Sequence, residues 1–377
     1  MSQFSLAHLT ALWSVPAIGE RTFQRCLLAQ KKAELSDGDF WVKQSVIAKQ
    51  AALSDKQVVA LKNFHKEHSF TSFYEQLLSS GIQVLSIRDA NYPALLTMTD
   101  FAPSILFVKS QSKISQQTWQ DLLLAVVGTR RMTHYGRFVI KSLLRDIIES
   151  RQPPLKIVSG FMYGIDVTAM KLAHQLSQTV GILGYGFNYC FPRHHQALMT
   201  KMLAEGAIFL TEYPPATAPS AGSFVQRNRI IAGLAQATLV VEAAEKSGSL
   251  ITAQFALDAN RTVMAVPGPV FNPYSRGCQN LINDGAVLVS TVQDFWRALG
   301  QSAPNKQKNS QLLSSVGALT DNEAKIIHCL ELFTNGANLA KLLAATQLKE
   351  EQLRQELFNL ELKNLIILQG QNYILNP

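Results

Sequence analysis

The chain carries its clearest phosphate-binding chemistry in one segment past its midpoint. Phe224 is followed by Arg227 and Arg229, and a short apolar run then leads to the small-residue loop Ser247-Gly248-Ser249. Exposed backbone amides at the start of a helix attract anions, and the guanidinium fork matches phosphate oxygens. An aromatic ring can also stack on an unpaired base. This combination predicts a site for a phosphodiester rather than for a carboxylate.

Further residues of the same types follow other short apolar runs. If those runs are strands of one parallel sheet, their carboxyl ends meet at one edge and the residues converge there. A groove of cations, small residues and an aromatic ring suits single-stranded nucleic acid. We therefore predict a site for single-stranded DNA formed by Gly128, Arg130, Ser159, Gly160, Phe224, Arg227, Asn228, Arg229, Ser247, Gly248, Ser249 and Thr252.

Acidic residues near the ends of these runs allow two interpretations. Asp166, Glu212 and Glu242 could act as acid and base on a ribosyl bond, or they could accept loop amides and pair with arginines. We favour the second role, that of supporting acids. Arg227 and Arg229 could pair with such an acid and still reach a phosphate, because a guanidinium has five donors.

Signatures of an enzyme are incomplete. Residues 181–186 imitate part of a dinucleotide fingerprint with imperfect glycine spacing, and 246–249 lack the spacing of an ATPase phosphate loop. No G-x-S-x-G motif occurs, and the four cysteines lie far apart without a CxxC pair. Adjacent His194 and His195 should point apart, on the surface or facing phosphate, and no nearby acid completes a metal site. We predict a protein that is not an enzyme and has no catalytic residue, cofactor or metal.

Charge and composition favour an intracellular protein that meets polyanions. The 377 residues include 35 Lys and Arg against 27 Asp and Glu, with a formal net charge of +8 and an isoelectric point near 9.3. Such a surface attracts nucleic acid, although a merely basic globular protein would share it. The N-terminus has no secretory pattern, and apolar stretches such as 122–127 are too short to cross a bilayer. We expect a soluble, cytoplasmic protein.

Apolar patterning divides most of the chain into two regions. Residues 1–80 have helical periodicity, and a turn with proline and glycine at 15–22 resembles either a helix-hairpin-helix or an ordinary turn of a small bundle. Residues 81–300 alternate short apolar runs with helical stretches, which predicts an α/β fold with a doubly wound parallel sheet. The predicted strands are 84–87, 105–108, 122–127, 156–158, 180–183, 207–210, 238–241 and 263–266.

The rest of the chain predicts a linker, a small second domain and a self-association surface. Residues 301–310 are polar like a linker, and 311–377 have the winged-helix order of three helices and a hairpin. In the candidate recognition helix, 348–356, glutamates offset the basic residues, so protein binding and weak DNA binding both remain open. The apolar run 286–289 would form an edge strand, which predicts a homodimer, with burial inside the monomer as the alternative.

Six motifs, taken in order, resemble those of the DNA-processing protein A family, also called DprA or Smf. The resemblance spans most of residues 81–300 and implies an extended Rossmann fold that serves as a DNA platform. It also implies an N-terminal helical domain of SAM or helix-hairpin-helix type at 1–80 and a C-terminal winged helix. The motifs are GTR at 128–130, SGFMYGID at 159–166, FVQRNRIIAGL at 224–234, SGSLITA at 247–253, VPG at 266–268 and GCQNLI at 277–282.

The resemblance implies a function as well. Members are bacterial cytoplasmic proteins that bind incoming single-stranded DNA during natural transformation in competent cells. They dimerise, load the RecA recombinase, and displace or bypass single-strand-binding protein. By motif, Arg130 would contact a backbone phosphate and Phe224 would contact bases. Arg227 and Arg229 would shape or line the same pocket.

Three positions depart from the family pattern. Met162 replaces a small residue, Phe191 stands where tyrosine is usual, and Ala221 occupies a place that can carry a basic residue. The last departure could shift positive charge onto Arg276, Lys246 or His195. The alternative function is a nucleotide-processing enzyme of the phosphoribohydrolase or lysine-decarboxylase-like type, which resembles the family in fold. Its PGGxGTxxE signature is absent from the sequence.

Overall fold

The computed structural model describes residues 4–303, 320–333, 336–362, 365–370 and 372–375. The chain forms two compact units, residues 1–304 and 305–377. Of the linker predicted at 301–310, only residues 301–303 are among those described, and 304–310 lie outside them. No helix within the described ranges is long and apolar enough to cross a membrane.

The first unit begins with a group of helices that shares its core with two strands. Ser5 begins the first helix and accepts a hydrogen bond from the His8 amide at 3.2 Å. Leu12 and Phe40 are fully buried and belong to the same apolar cluster as Ile82 and Phe107 of the sheet. Assignment of this region to a SAM-like or helix-hairpin-helix-like domain stays a prediction. The helices are α1 (Leu6–Ser14), α2 (Glu20–Lys32), α3 (Asp37–Val42), α4 (Gln44–Gln50), α5 (Asp55–Glu67) and α6 (Phe70–Ser79).

A nine-stranded, mostly parallel sheet forms the centre of the first unit. The spatial order is β1-β2-β6-β5-β4-β3-β7-β8-β9. Within the group from β3 to β9, every pair of neighbouring strands is parallel. The strands are β1 (Ile82–Ser86), β2 (Ile105–Lys109), β3 (Leu123–Val127), β4 (Lys156–Ser159), β5 (Thr179–Ile182), β6 (Ile208–Thr211), β7 (Ala237–Val240), β8 (Thr262–Ala265) and β9 (Val287–Leu288).

One edge of the sheet departs from the predicted parallel arrangement. Strand β2 is antiparallel to both β1 and β6. Between β1 and β2 the chain has only the short helix α7 (Ala94–Thr97), and an antiparallel neighbour does not need the long crossover that a parallel one requires. The remaining strands have the crossover helices that the sequence pattern indicates.

Helices cover both faces of the parallel strands. Alternate residues of β3 point to opposite faces: Ala125 packs in one apolar cluster with Ile231, and Val126 packs in another with Leu144. This alternation confirms the doubly wound arrangement. The helices are α8 (His134–Val139), α9 (Arg145–Glu149), α10 (Ile165–Leu176), α11 (Gln196–Ala204), α12 (Ala221–Leu234), α13 (Gly248–Asp258), α14 (Arg276–Asn283) and α15 (Val292–Ala298). A π-helical segment, Ile140–Leu144, joins α8 to α9.

The second unit contains three helices and a hairpin around its own core. Thr320 and Glu323 form a capping box at the start of the first helix. Leu342, Leu353 and Ile366 are buried together in one apolar cluster. The element order is the one that the sequence indicates, and its assignment as a winged helix stays a prediction. The elements are α16 (Asp321–Leu332), α17 (Leu339–Thr346), α18 (Glu350–Leu362), β10 (Ile366–Gln369) and β11 (Asn372–Leu375).

Candidate nucleic-acid interface

A cleft opens at the carboxyl ends of the parallel strands, where the direction of chain progression reverses. From β3 the chain continues to β4 and β5 on one side, and it later returns to β7 and β8 on the other. Such a switch point leaves a crevice between the loops, and ligands of doubly wound sheets bind there. The cleft has a volume of about 760 Å³ and is lined by loops after β3, β4, β5 and β7, by one side of α12 and by the start of α13.

Aromatic rings and an arginine stand together at the cleft. The Arg130 guanidinium carbon lies 6.0 Å from the centroid of the Phe224 ring. The Phe191 ring lies 5.3 Å from the Phe224 ring, centroid to centroid, and Phe191 is 37% exposed. Arg130 is exposed and Phe224 half-buried, so both offer surface to a bound molecule. The geometry suits a phosphate beside the guanidinium and a base beside the rings.

Arg227 forms part of the cleft wall from a buried position. Its Nη1 donates to the Gly160 carbonyl at 2.8 Å and also to the Ile182 carbonyl. A Cβ on Gly160 would lie only 2.6 Å from Arg227 Nη2 and equally close to Asp166 Oδ2. Glycine is therefore required at 160 because the arginine and the carboxylate are packed against its backbone.

Burial shifts the pKa of both charged groups at this wall. Burial raises the pKa of Asp166 to about 6, while Arg227 and the Met162 amide oppose that shift. Burial likewise lowers the pKa of Arg227 to about 10, against the attraction of Asp166. Arg227 still carries its charge at neutral pH, so the wall presents a fixed cation to the cleft.

The first turns of α12 and α13 add further positive potential. Ser220 begins α12 and accepts from the Ser223 amide at 3.1 Å. Ser247 begins α13 and accepts from the Ser249 amide at 3.3 Å. Asn228 donates from Nδ2 to the Gly248 carbonyl at 3.3 Å, which holds the two helices side by side. Helix N-termini carry partial positive charge, and both line the cleft.

The balance of charge in the cleft favours anions. Arg130, Lys246 and Arg227 line it, and among the described residues Asp166 is its only carboxylate. With two helix N-termini added, the cleft is electropositive at neutral pH.

The two other predicted supporting acids lie outside the cleft lining. Glu212 forms a buried ion pair with Arg229 at 2.7 Å, and burial raises the pKa of Glu212 while Arg229 opposes the shift. Glu242 accepts from the Thr133 amide at 2.9 Å. A Cβ on Gly136 would lie 2.2 Å from Glu242 Oε2, so the carboxylate is packed under the first turn of α8.

The structure brings most of the predicted binding residues together and separates three from the cleft. Ser159 is buried and donates to the Val126 carbonyl at 2.6 Å, and Gly160 lies beneath Arg227. Arg229 is held by Glu212 away from the cleft lining. The predicted residues that line the cleft are Gly128, Arg130, Phe224, Arg227, Asn228, Ser247, Gly248, Ser249 and Thr252.

Several cleft residues were absent from the predicted set. Met162, Phe191, Ser220 and Lys246 all line the cleft. Two signals in the sequence point toward them: Ser220 stands three residues before Ser223 as a helix cap does, and Phe191 follows the glycine-rich end of β5.

The expectation for the adjacent histidines is wrong for His195 and for the directions of the two rings, whereas His194 is exposed as expected. The His194 and His195 rings contact each other at 4.6 Å between centroids, and His195 is buried with Nδ1 3.2 Å from the Phe161 carbonyl. Residues Arg193–His195 form a 3₁₀ turn, so the side-chain directions of a regular α-helix do not apply.

Comparison with protein families and curated proteins identifies relatives of this chain. The family described as DNA recombination-mediator protein A matches residues 83–300. The DNA processing protein DprA of Bacillus subtilis is 37% identical over 224 residues, which cover 58% of this chain and 72% of that protein. Protein Smf of Escherichia coli is 40% identical over 204 residues, 54% of this chain and 52% of that protein. The chain thus matches only about half the length of the second relative.

Two solved structures share the fold. The X-ray structure of DNA processing protein A from Streptococcus pneumoniae superposes with a TM-score of 0.63 at 27% identity, covering 80% of this chain and 99% of that one. A structure described as revealing the single-stranded DNA binding mode of DNA processing protein A from Helicobacter pylori has a TM-score of 0.50 at 24% identity. It covers 58% of this chain and 95% of that one, and it supports the fold alone.

Proposed function

This chain belongs to the DNA recombination-mediator protein A family, and on that premise we propose that it binds single-stranded DNA in the cleft as a recombination mediator. The observation that carries the proposal is the meeting of Arg130 with the Phe224 ring beside two helix N-termini. A phosphate can therefore bind Arg130 while a base of the same strand contacts the Phe224 ring.

The main polar and aromatic groups of the cleft have distinct roles in binding. Arg130 contacts a backbone phosphate, and Phe224 with Phe191 contacts bases. The positive end of α13, with the Gly248 amide, receives a second phosphate. The side chains of Asn228 and Thr252 complete this side of the cleft.

Three of the predicted residues receive positioning roles in this proposal. Ser159 and Gly160 leave room for Arg227, which supplies positive charge from the wall. Arg229 fixes α12 to the end of β6 through Glu212. Asp166 attracts the arginine from across the Gly160 backbone, and Glu242 fixes the start of α8.

Single strands should bind better than duplex. In a duplex the bases are stacked and paired, so the half-buried Phe224 ring could contact them only after unstacking. A base that is already unpaired avoids that cost, and its contact with an aromatic ring is worth about 1–3 kcal/mol.

The wider function proposed here rests on family membership. The chain would act in the cytoplasm on incoming DNA during natural transformation in competent cells. It would load RecA, displace or bypass single-strand-binding protein, and work as a homodimer. The proposed role is that of a DNA platform without catalytic residues or a cofactor.

Fluorescence polarisation with matched single-stranded and duplex oligonucleotides tests the proposal. Wild type should bind single strands more tightly, and Arg130→Ala should weaken binding to all sequences alike, because a phosphate contact carries no base information. The slope of log affinity against log salt should decrease by about 0.7 for the lost contact.

Lys62→Ala, an exposed cation on α5, is the matched control and should bind like wild type. Equal binding by Arg130→Ala and wild type across the salt series would show that the site is assigned to the wrong residues. If wild type binds neither the single-stranded nor the duplex oligonucleotide, the proposed function is rejected.

A further inference from the structure

The outer face of the helix after Arg130 carries basic residues and an exposed aromatic ring. Inward-facing Ile140 and Leu144 are fully buried in the core on this side of the sheet. On the opposite side, Arg137, Phe138 and Lys141 are exposed, with the Phe138 side chain 64% exposed, and Arg131 is exposed in the loop before α8. We call these four residues the α8 ridge.

In the part of the chain that the structure describes, no carboxylate lies within salt-bridge distance of Arg131, Arg137 or Lys141. The first ion pair along this helical segment is Arg145 with Glu149, at 3.6 Å. Positive charge therefore continues unneutralised along the first two turns beyond the cleft, over a length of about 10 Å from 134 to 141.

The ridge begins at the cleft. Arg130, which lines the cleft, directly precedes Arg131, and the first turn of α8 is fixed to the end of β7 through Glu242. Because α8 follows β3 and leads to the parallel strand β4, it must run from the carboxyl edge of the sheet back toward the amino edge. The ridge is thus a continuation of the cleft surface down one side of the sheet.

We propose that the α8 ridge binds the phosphate backbone of the single strand where it leaves the cleft, with Arg131, Arg137 and Lys141 on phosphates and Phe138 against a base. Arg137 and Lys141 stand about one helical turn apart, and Arg131 precedes them in the loop, so the cations follow one another along the path of a flexible chain with repeated charges. The proposal rests on the proposed function, since it extends the same strand beyond the cleft.

Oligonucleotides of two lengths can distinguish binding at the ridge from binding in the cleft. A single strand of about 6 nucleotides should occupy the cleft, and one of about 20 nucleotides should also cover the ridge, since single-strand-binding domains of another fold, the OB fold, cover about 4–16 nucleotides each. The test variant is Arg137→Gln with Lys141→Gln in the full chain. Glutamine has a helix propensity close to those of arginine and lysine, so α8 should persist.

The control is Lys62→Gln with Lys66→Gln, which removes the same charge at the same four-residue spacing from exposed positions of α5. With the long strand, the ridge variant should lose roughly fivefold in affinity per contact at about 0.1 M salt, and its salt slope should decrease by about 1.4. With the short strand, ridge variant, control and wild type should agree.

The possible outcomes distinguish this inference from the function on which it rests. If the ridge variant binds the long strand with the same affinity and salt slope as wild type, the ridge proposal is rejected, even if Arg130→Ala weakens binding to both strands. An equal loss in the α5 control would also overturn it, because net charge would then explain the effect. Failure of wild type to bind either strand would reject the proposed function itself.

Discussion

Asp166 places a carboxyl group within a cleft that is otherwise electropositive, and its ionisation should weaken DNA binding. Because burial raises the pKa of Asp166 to about 6, the side chain is ionised at pH 7.5 and mostly neutral at pH 5. We predict that affinity for single strands increases as pH falls through about 6. Asp166→Asn should flatten this pH profile and bind at pH 7.5 as wild type does at low pH, in a polarisation titration.

The same shift predicts a pH dependence of stability. A carboxyl group with a raised pKa binds its proton more tightly in the folded chain, so the free energy of unfolding should decrease as pH rises from about 4 to about 6. Asp166→Asn should remove that part of the dependence, whereas Glu67→Gln at an exposed position of α5 should not. If Asp166→Asn keeps the wild-type dependence of the unfolding free energy on pH, then ionisation of Asp166 does not destabilise the fold.

Gly160 provides a test of how tightly the cleft wall is packed. A Cβ at this position would lie 2.6 Å from both Arg227 Nη2 and Asp166 Oδ2, so Gly160→Ala should destabilise the fold by about 1–3 kcal/mol. Gly222 in α12 has no atom within 4 Å of its ideal Cβ, and Gly222→Ala should not destabilise. Denaturant unfolding of the two variants measures the difference, and equal stabilities would contradict the packing described here.

At the scale of an element, strand β9 is the exposed end of the sheet. It pairs with β8 on one side, and Val287 and Leu288 are 38% and 42% exposed. An uncovered apolar edge invites pairing with a second copy, so we predict a homodimer that Leu288→Lys weakens. Light scattering across a concentration series measures this. Leu78→Lys, at an equally exposed apolar position of α6, should leave self-association unchanged, and a wild-type monomer well above micromolar concentration would exclude the dimer.

At the scale of the whole molecule, the cleft residues all belong to the unit 1–304. We predict that a chain ending at residue 304 folds and keeps its single-strand affinity. The second unit should contribute little, because Arg354 of α18 is paired with Glu350 at 2.7 Å and more glutamates follow. Thermal unfolding and polarisation measure both properties. A loss of more than about tenfold, roughly 1.4 kcal/mol, in a truncated chain that still unfolds cooperatively would place part of the DNA site in residues 305–377.

The sequence by itself determined the parallel core and the family. Strands covered on both faces must be apolar throughout, so runs such as 123–127 can be recognised without a structure. The small and charged residues after those runs then fall at one edge of the sheet, because parallel strands all end there. The motifs that resemble the family lie in the same loops, since a phosphate site needs glycine and serine where the backbone approaches the ligand.

Only the tertiary structure decided which of these residues face the cleft. Arg227 and Arg229 stand about 200° apart around α12, so the packing of the helix directs one to the cleft wall and the other to Glu212. The antiparallel placement of β2 and the approach of Phe191 to Phe224 likewise depend on contacts between segments distant in sequence. Local sequence patterns carry no information about such contacts, because the relative orientation of packed elements is set by how their side chains fit together.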